Sequence, residues 1–412
     1  MISRIHRARA CLARIGLLAL LSLCPLSALG ADYMDWTQYR GPNRDGVSSE
    51  AGWLCEWPPE GPRQLWKTSI GTGFASMAVV GGRVYAFGHD EQAGLDSVFC
   101  LDAETGQEIW KHAYPCEIRD KQHEGGPCGT PAVAGKKVLT ISKMADFHCL
   151  DAETGKVVWY KDLKKELGAK VPSWSFSGSP LILNQLVIID VGRIAAFDIV
   201  TGDLVWKTKD YGAAYSSPVA FDLGNRKGLA VFPEIGLVVL DAKDGKEIAR
   251  HAWETSFGVN AATPIVLGNK IFLSSGYNRG CTLLELGSGR SPNVLWENTN
   301  MRNHFNTSVY HEGHFYGFDD NKLACLDETT GGVKWTRDGM GKGSLTLADG
   351  KLIILSDKGE LVIANAAPSA YEELSRAQIL GGKCWTVPVL SGHRVYARNA
   401  RGDLVCIDLR KG

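Results

Sequence analysis

The chain has 412 residues, 44% apolar and 22% charged, with 47 glycines against 16 prolines. That balance suits a globular fold with ample core material and many tight turns. Basic and acidic side chains number 45 each, so the basic surplus that a nucleic-acid partner demands is missing.

The first thirty residues read as a secretory signal. Arg4, Arg7, Arg9 and Arg14 form a basic start, and Ile15 to Leu26 an apolar run too short for a comfortable membrane span. Ala28-Leu29-Gly30 supplies small residues at a cleavage site. Removing the segment takes away four arginines and no acid, leaving 41 basic and 45 acidic groups, a net of −4. Leu21-Ser22-Leu23-Cys24 is loosely like a lipoprotein box, but Leu23 is bulky where a small residue is required, so lipid anchoring at Cys24 is not expected. The expected location is the periplasm or the medium, with no transmembrane span. Residues 31–60 are expected as an N-terminal extension and 61–412 as one repeat domain.

Repeats dominate the remainder. Phe99-Cys100-Leu101-Asp102-Ala103-Glu104-Thr105-Gly106, closing on Trp110, returns as His148-Cys149-Leu150-Asp151-Ala152-Glu153-Thr154-Gly155, closing on Trp159. Weaker copies carry Asp198 with Trp206, Asp241, Glu285 with Trp296, Asp327 with Trp335, Asn365 and Asp408. The eight marker positions are spaced 38 to 49 residues apart. Each copy reads as four short strands: a proline-led first strand (Pro131, Pro180, Pro218, Pro264, Pro388), an alternating second, a third ending on the marker, and a fourth carrying Trp. A period near forty selects an all-β, eight-bladed β-propeller of four-stranded antiparallel blades. Proline lacks an amide donor and suits the innermost edge strand of each blade. The repeat tryptophans are expected to bury large faces between blades rather than to form a sugar-stacking ladder.

The two ends of the repeat domain complement each other. Gln64-Leu65-Trp66-Lys67 is a lone fourth-strand signature, whereas Leu404 to Asp408 is a third strand with no Trp after it. The N-terminal strand should therefore complete the last blade and hide two exposed edges. The chain has eleven cysteines. Cys100, Cys149, Cys325 and Cys406 share one repeat position and are expected as buried thiols. Cys116 and Cys128 lie in one long loop and are a candidate disulfide.

The Asp-Ala-x-Thr-Gly-x-x-x-Trp repeat resembles the tryptophan-docking repeat of pyrroloquinoline-quinone (PQQ) type propellers, over roughly residues 60–410. The resemblance implies one of two branches: quinoprotein dehydrogenases, which hold PQQ and calcium, or BamB, the cofactor-free propeller lipoprotein of outer-membrane assembly. The length favours the second, because dehydrogenase propellers carry long inserts between blades. The segment Trp36 to Gly46 also resembles the start of exported PQQ-like repeat proteins of planctomycete-type bacteria. The dehydrogenases' adjacent Cys-Cys pair does not occur here, so no cofactor is expected, and none of that branch's ligands or catalytic residues has a matching motif.

No other motif carries chemistry. Gly339 to Ser344 fails as a phosphate loop, because Gly343 follows Lys342. His311-Glu312-Gly313-His314 reads as a hairpin rather than a zinc motif. Candidate functional residues therefore fall at the channel mouth. Phe74, Phe176, Tyr215, Asn260, Phe305, Asn306 and Trp385 precede first strands. His89, Glu234, Tyr277, Arg279, Asp319, Asp320, Asp357, Arg398 and Asn399 lie in turns between second and third strands. Aromatic walls with a few polar groups suit a ligand site; the plainer alternative is that they fill the channel and solvate its rim. The reading is a monomeric, exported, non-catalytic propeller that binds a protein or polymer partner of the cell envelope. A PQQ-dependent or other oxidoreductase and a carbohydrate-binding module are the alternatives.

Overall fold

The structure, a computed structural model, describes residues 34–411. The signal-like segment and the Cys24 box lie outside them. Eight antiparallel sheets succeed one another along the chain as the blades of a propeller. Blade 1 comprises Ala78–Val80, Arg83–Asp90, Leu95–Asp102 and Glu108–Pro115, paired in that order. Every third strand ends on the expected marker: Asp102, Asp151, Asp198, Asp241, Glu285, Asp327, Asn365 and Asp408. The His311-to-His314 stretch is a tight hairpin, with Glu312 and Gly313 both at positive φ.

The repeat motif works as a dock between blades. The Asp102 carboxylate accepts the amides of Glu104 and Thr105 at 3.0 and 2.8 Å and the Thr105 hydroxyl at 2.9 Å, which folds the turn back on itself. Gly106 (φ 70°) then lies against the Trp66 ring, and a Cβ there would meet the indole at 2.6 Å. The Trp66 indole N–H donates to Ala103 O at 3.0 Å. The same lock recurs one blade on, with Gly155 against Trp110 and the Trp110 indole donating to Ala152 O at 3.0 Å. Trp159, Trp206, Trp296 and Trp335 donate in the same way to the blade that follows each. Glycine is required at the marker turn twice over: for the left-handed backbone, and for the space the indole occupies.

Ring closure follows the expected scheme. Arg63–Ser69 pairs antiparallel with Asp403–Asp408, with Trp66 opposite Cys406, and so becomes the outer strand of blade 8. Trp66 is 8% exposed and packs with Tyr396, Leu404 and Cys406.

The segment before it is more than an extension. From Trp36 to Glu50 the chain runs past the inner edges of successive blades. Trp36 exchanges backbone hydrogen bonds with Val79 of blade 1, and Thr37 O accepts Val133 N of blade 2. Buried Arg44 donates to Ser179 O and Pro180 O of blade 3 and to Pro218 O of blade 4. Buried Arg40 donates to Thr307 O and Ser308 O of blade 6. Val47–Ser48 adds a parallel fifth strand to blade 7, and the Glu50 carboxylate accepts Gly392 N and His393 N of blade 8 at 2.7 Å each. Inner strands of a propeller leave backbone groups unpaired toward the channel. This segment satisfies them and fills the channel as a plug.

Candidate functional site

The residues that lead into the inner strands gather at one end of the channel, around a cavity of about 260 Å³. Tyr39, carried on the plug, is part of its lining. Its aromatic side chains touch in series. Phe74 meets His123 edge-on and stacks on Trp385 at 5.7 Å, and Trp385 meets Phe305 at 4.5 Å. Phe305 meets His304, and His304 meets Tyr277 at 4.8 Å. Tyr277 meets Phe257, Phe257 meets Trp174, and Trp174 meets Tyr215. Lys121 sits over the Trp174 ring on the loop that carries Gln122 and His123. The collar runs nearly all the way round. Trp385 belongs to blade 8 and Tyr215 leads into blade 4, so the two aromatic walls lie half a ring apart.

Between the aromatics the cup presents Ser76, Ser177, Ser217, Gln122, Asn306 and Cys128. Lys342 enters from blade 7, flanked by Gly341 and Gly343, and its ammonium meets Asp320 and His304 at 2.9 Å each. No carboxylate lines the cup among the described residues. Burial and neighbouring lysines hold His123 and His304 below the ordinary histidine range, so both are neutral at pH 7. Behind the lining lie guanidiniums held mostly by carbonyls. Arg44 is pulled down to about 9 and Arg398 to about 10, both by burial. Arg398 donates to Phe87 O at 2.6 Å and Gly71 O at 2.8 Å.

Of the residues expected at the mouth, Phe74, Tyr215, Tyr277, Phe305, Asn306 and Trp385 line the cup, and Asp320 reaches it through Lys342. The others serve elsewhere. Phe176 is buried in the core between blades 2 and 3. His89 is buried on an extended hairpin of blade 1, where Asp96 lies 2.7 Å from its Nδ1 and also takes Lys143. Asn260 is buried and donates to Pro233 O at 2.9 Å. Arg279 stacks over Trp253 at 3.4 Å and pairs with Glu297, whereas Asp319 pairs with Arg302. Asn399 is buried against Gly381 O and Asp403. Asp357 N donates to the O of Gly341's neighbour Met340 at 3.0 Å, and Glu234 lines two further cavities, one of about 780 Å³ with Gly258 and one of about 400 Å³ with Phe257.

The candidate disulfide is corrected. Cys116 and Cys128 are both free thiols. Cys116 follows the outer strand of blade 1 and is buried beside the Asp96–Lys143 pair, while Cys128 faces the cup, its thiol within 3.8 Å of Gly126 O. Cys100, Cys149, Cys325 and Cys406 are buried free thiols, as expected.

Trp174, Gln122, His123, His304, Lys342 and Tyr39 were not among the expected residues. Trp174 stands two residues ahead of Phe176, the residue the repeat alignment favours. Gln122 and His123 sit on a long loop outside the repeat, and Lys342 stood out only in a failed phosphate loop.

A repeat docked by tryptophan, eight blades and a plugged channel define a PQQ-type β-propeller. A family-wide sequence profile described as "Outer membrane protein assembly factor BamB" matches residues 94–337, more than half of the chain, and the chain belongs to that family. In fold it is similar to BamB of Moraxella catarrhalis (17% identical, 84% of this chain and 99% of that one, TM-score 0.59). It is also similar to the quinohemoprotein alcohol dehydrogenase of Comamonas testosteroni (14% identical, 92% and 81% covered, TM-score 0.66). Over 166 residues, 39% of this chain, it is 28% identical to the serine/threonine-protein kinase AfsK of Streptomyces coelicolor. The match spans 18% of that kinase's length. No helix among the described residues is long and apolar enough to cross a membrane.

Proposed function

We propose that the chain is an exported, non-catalytic propeller that binds a protein or polymer partner of the cell envelope through the aromatic cup. The observation that carries this reading is the collar itself: nine rings touching in series around a polar-studded cup set on a plugged channel. Such a site holds a ligand by stacking and apolar burial, and its few polar groups orient it.

The oxidoreductase reading has a specific requirement that these residues do not meet. PQQ in the related dehydrogenases is held with calcium, which needs six to eight oxygen ligands, mainly carboxylates and carbonyls. No carboxylate lines the cup, and no three His, Cys, Asp or Glu side chains among the described residues are grouped to hold a metal ion. The adjacent cysteine pair of that branch is also missing.

The test is capture from an envelope fraction by the purified mature protein and by the double variant Trp385→Ala, Phe305→Ala. The reading expects a component retained by the wild type and lost from a variant with an unchanged fold by circular dichroism. Equal retention by both would show that the cup is not the binding surface.

A further inference from the structure

We infer that the cup takes the acidic pyranose ring at the end, or on a branch, of an envelope polysaccharide. The inference rests on the binding role proposed for the cup and names its ligand. Three observations point the same way.

The first is shape. The plug fills the channel and lends Tyr39 to the lining, so a polymer cannot thread through. The cup admits a terminus or a side group, and its volume of about 260 Å³ suits one six-membered ring with its substituents rather than a run of them.

The second is the mixture of surfaces. The C–H faces of a pyranose pack on aromatic rings, while its hydroxyls need hydrogen-bonding partners once water is excluded. Opposed walls carry Phe74, Trp385 and Phe305 on one side and Trp174 and Tyr215 on the other. Hydroxyl and amide groups of Ser76, Ser177, Ser217, Gln122 and Asn306 stand between them. Ser76 Oγ already donates to Val387 O, Ser217 Oγ accepts Ser179 N, and Asn306 Nδ2 donates to Gly343 O, so a sugar would meet Gln122, Ser177 and the remaining capacity of these three.

The third is charge. Among the described residues the lining holds the Lys342 ammonium, paired with Asp320 behind it, and no carboxylate. Lys383 and Lys121 stand over Trp385 and Trp174 at 4.4 and 5.6 Å. Two buried guanidiniums, Arg44 and Arg398, adjoin lining residues Tyr39 and Cys128 and are compensated by backbone carbonyls. Lys383 and Lys342 are each paired with an acid, Glu124 and Asp320, and Asp120 and Glu234 stand near His123 and Tyr215, so the positive excess at the lining comes from Lys121 and the two buried guanidiniums. A site surrounded in this way attracts an anion and disfavours a cation.

Calorimetric titration of the mature protein with a disaccharide ending in glucuronic acid tests the inference. Its uronate methyl ester, the matching glucose-ended disaccharide and benzoate serve as comparison probes. The uronate-ended sugar should bind at one site, at least tenfold more tightly than the ester or the neutral sugar. Binding should weaken with added salt, by at least tenfold in Trp385→Ala, and severalfold in Lys342→Gln. Equal affinity for the neutral sugar overturns the charge argument, and equal affinity for benzoate overturns the sugar argument. If no sugar binds while envelope capture still depends on Trp385 and Phe305, the ligand class is wrong and the binding role stands. If capture is also independent of the cup, both fall.

Discussion

Truncating Trp66 isolates the closure of the ring from the rest of the fold. Its indole is 8% exposed, as are those of Trp110, Trp159 and Trp206, and it seals the seam between blade 8 and blade 1. Truncation of a buried aromatic to alanine costs about 3–5 kcal/mol through lost burial and the residual cavity. The upper half of that range applies here, because the neighbour facing the ring is Gly106, which has no side chain to move into the space. The lost indole hydrogen bond adds little, since Ala103 O also accepts the Tyr396 hydroxyl at 3.4 Å. Total stability of a domain is about 5–15 kcal/mol, so the loss is a large fraction of the margin. Urea unfolding of Trp66→Ala should show a loss matching that of Trp110→Ala to within about 2 kcal/mol, the spread between core sites of one chemistry. Deleting residues 31–68 should do worse, exposing the edge of Asp403–Asp408 and producing aggregates. If Trp66→Ala left the midpoint unchanged while Trp110→Ala lowered it, the N-terminal strand would not be an integral part of the ring.

Three further outcomes follow from other parts of the molecule. Gly155→Ala should destabilise more than Gly81→Ala in thermal melts, because a Cβ at 155 would meet the Trp110 ring at 2.5 Å whereas the space at Gly81 is open. Gly81→Ala retains only the strain of a positive φ, about 1 kcal/mol. Burial, followed by its neighbour His112, holds His148 down at about 4. The unfolded chain then binds this proton first as pH falls, so stability should decline between about pH 6.5 and 4, by about 3 kcal/mol at 1.36 kcal/mol per pH unit. In denaturant titrations across that window His148→Phe should flatten the decline, and an unchanged slope would exclude His148 as its source. Iodoacetamide should label Cys55 first, ahead of Cys128, whose thiol burial pushes up, and well before Cys100, Cys149, Cys325 or Cys406. Mass spectrometry of the digested protein would read the order directly.

The blade plan was legible because it is periodic. Each marker and each Trp performs the same docking job, so the eight copies report one another, and the unmatched Gln64-to-Lys67 strand announces the closure. The plug was not legible. It occurs once, and Arg40 and Arg44 are held by backbone carbonyls of distant blades, which leave no pattern in side-chain identities. At the mouth, the position before the inner strand identified Phe74, Tyr215, Phe305 and Trp385. Polar turn residues were less predictable. His89 shows why: the blade 1 hairpin extends to Asp90 and Leu95, so a residue placed at a turn by the repeat lies inside the sheet and is sealed against Asp96 and Lys143.

The binding role of the cup can be tested most directly by photo-crosslinking. Phe257 is 75% exposed at the collar rim, between Trp174 and Tyr277, and Val333 is exposed on the outer strand of blade 6. Each is replaced in turn by p-benzoylphenylalanine, and the protein is irradiated in an envelope fraction. The account predicts a defined adduct from position 257 that disappears when Trp385→Ala and Phe305→Ala are added, and none from position 333. An adduct from position 333 alone would contradict it and move the binding surface to the blade edges.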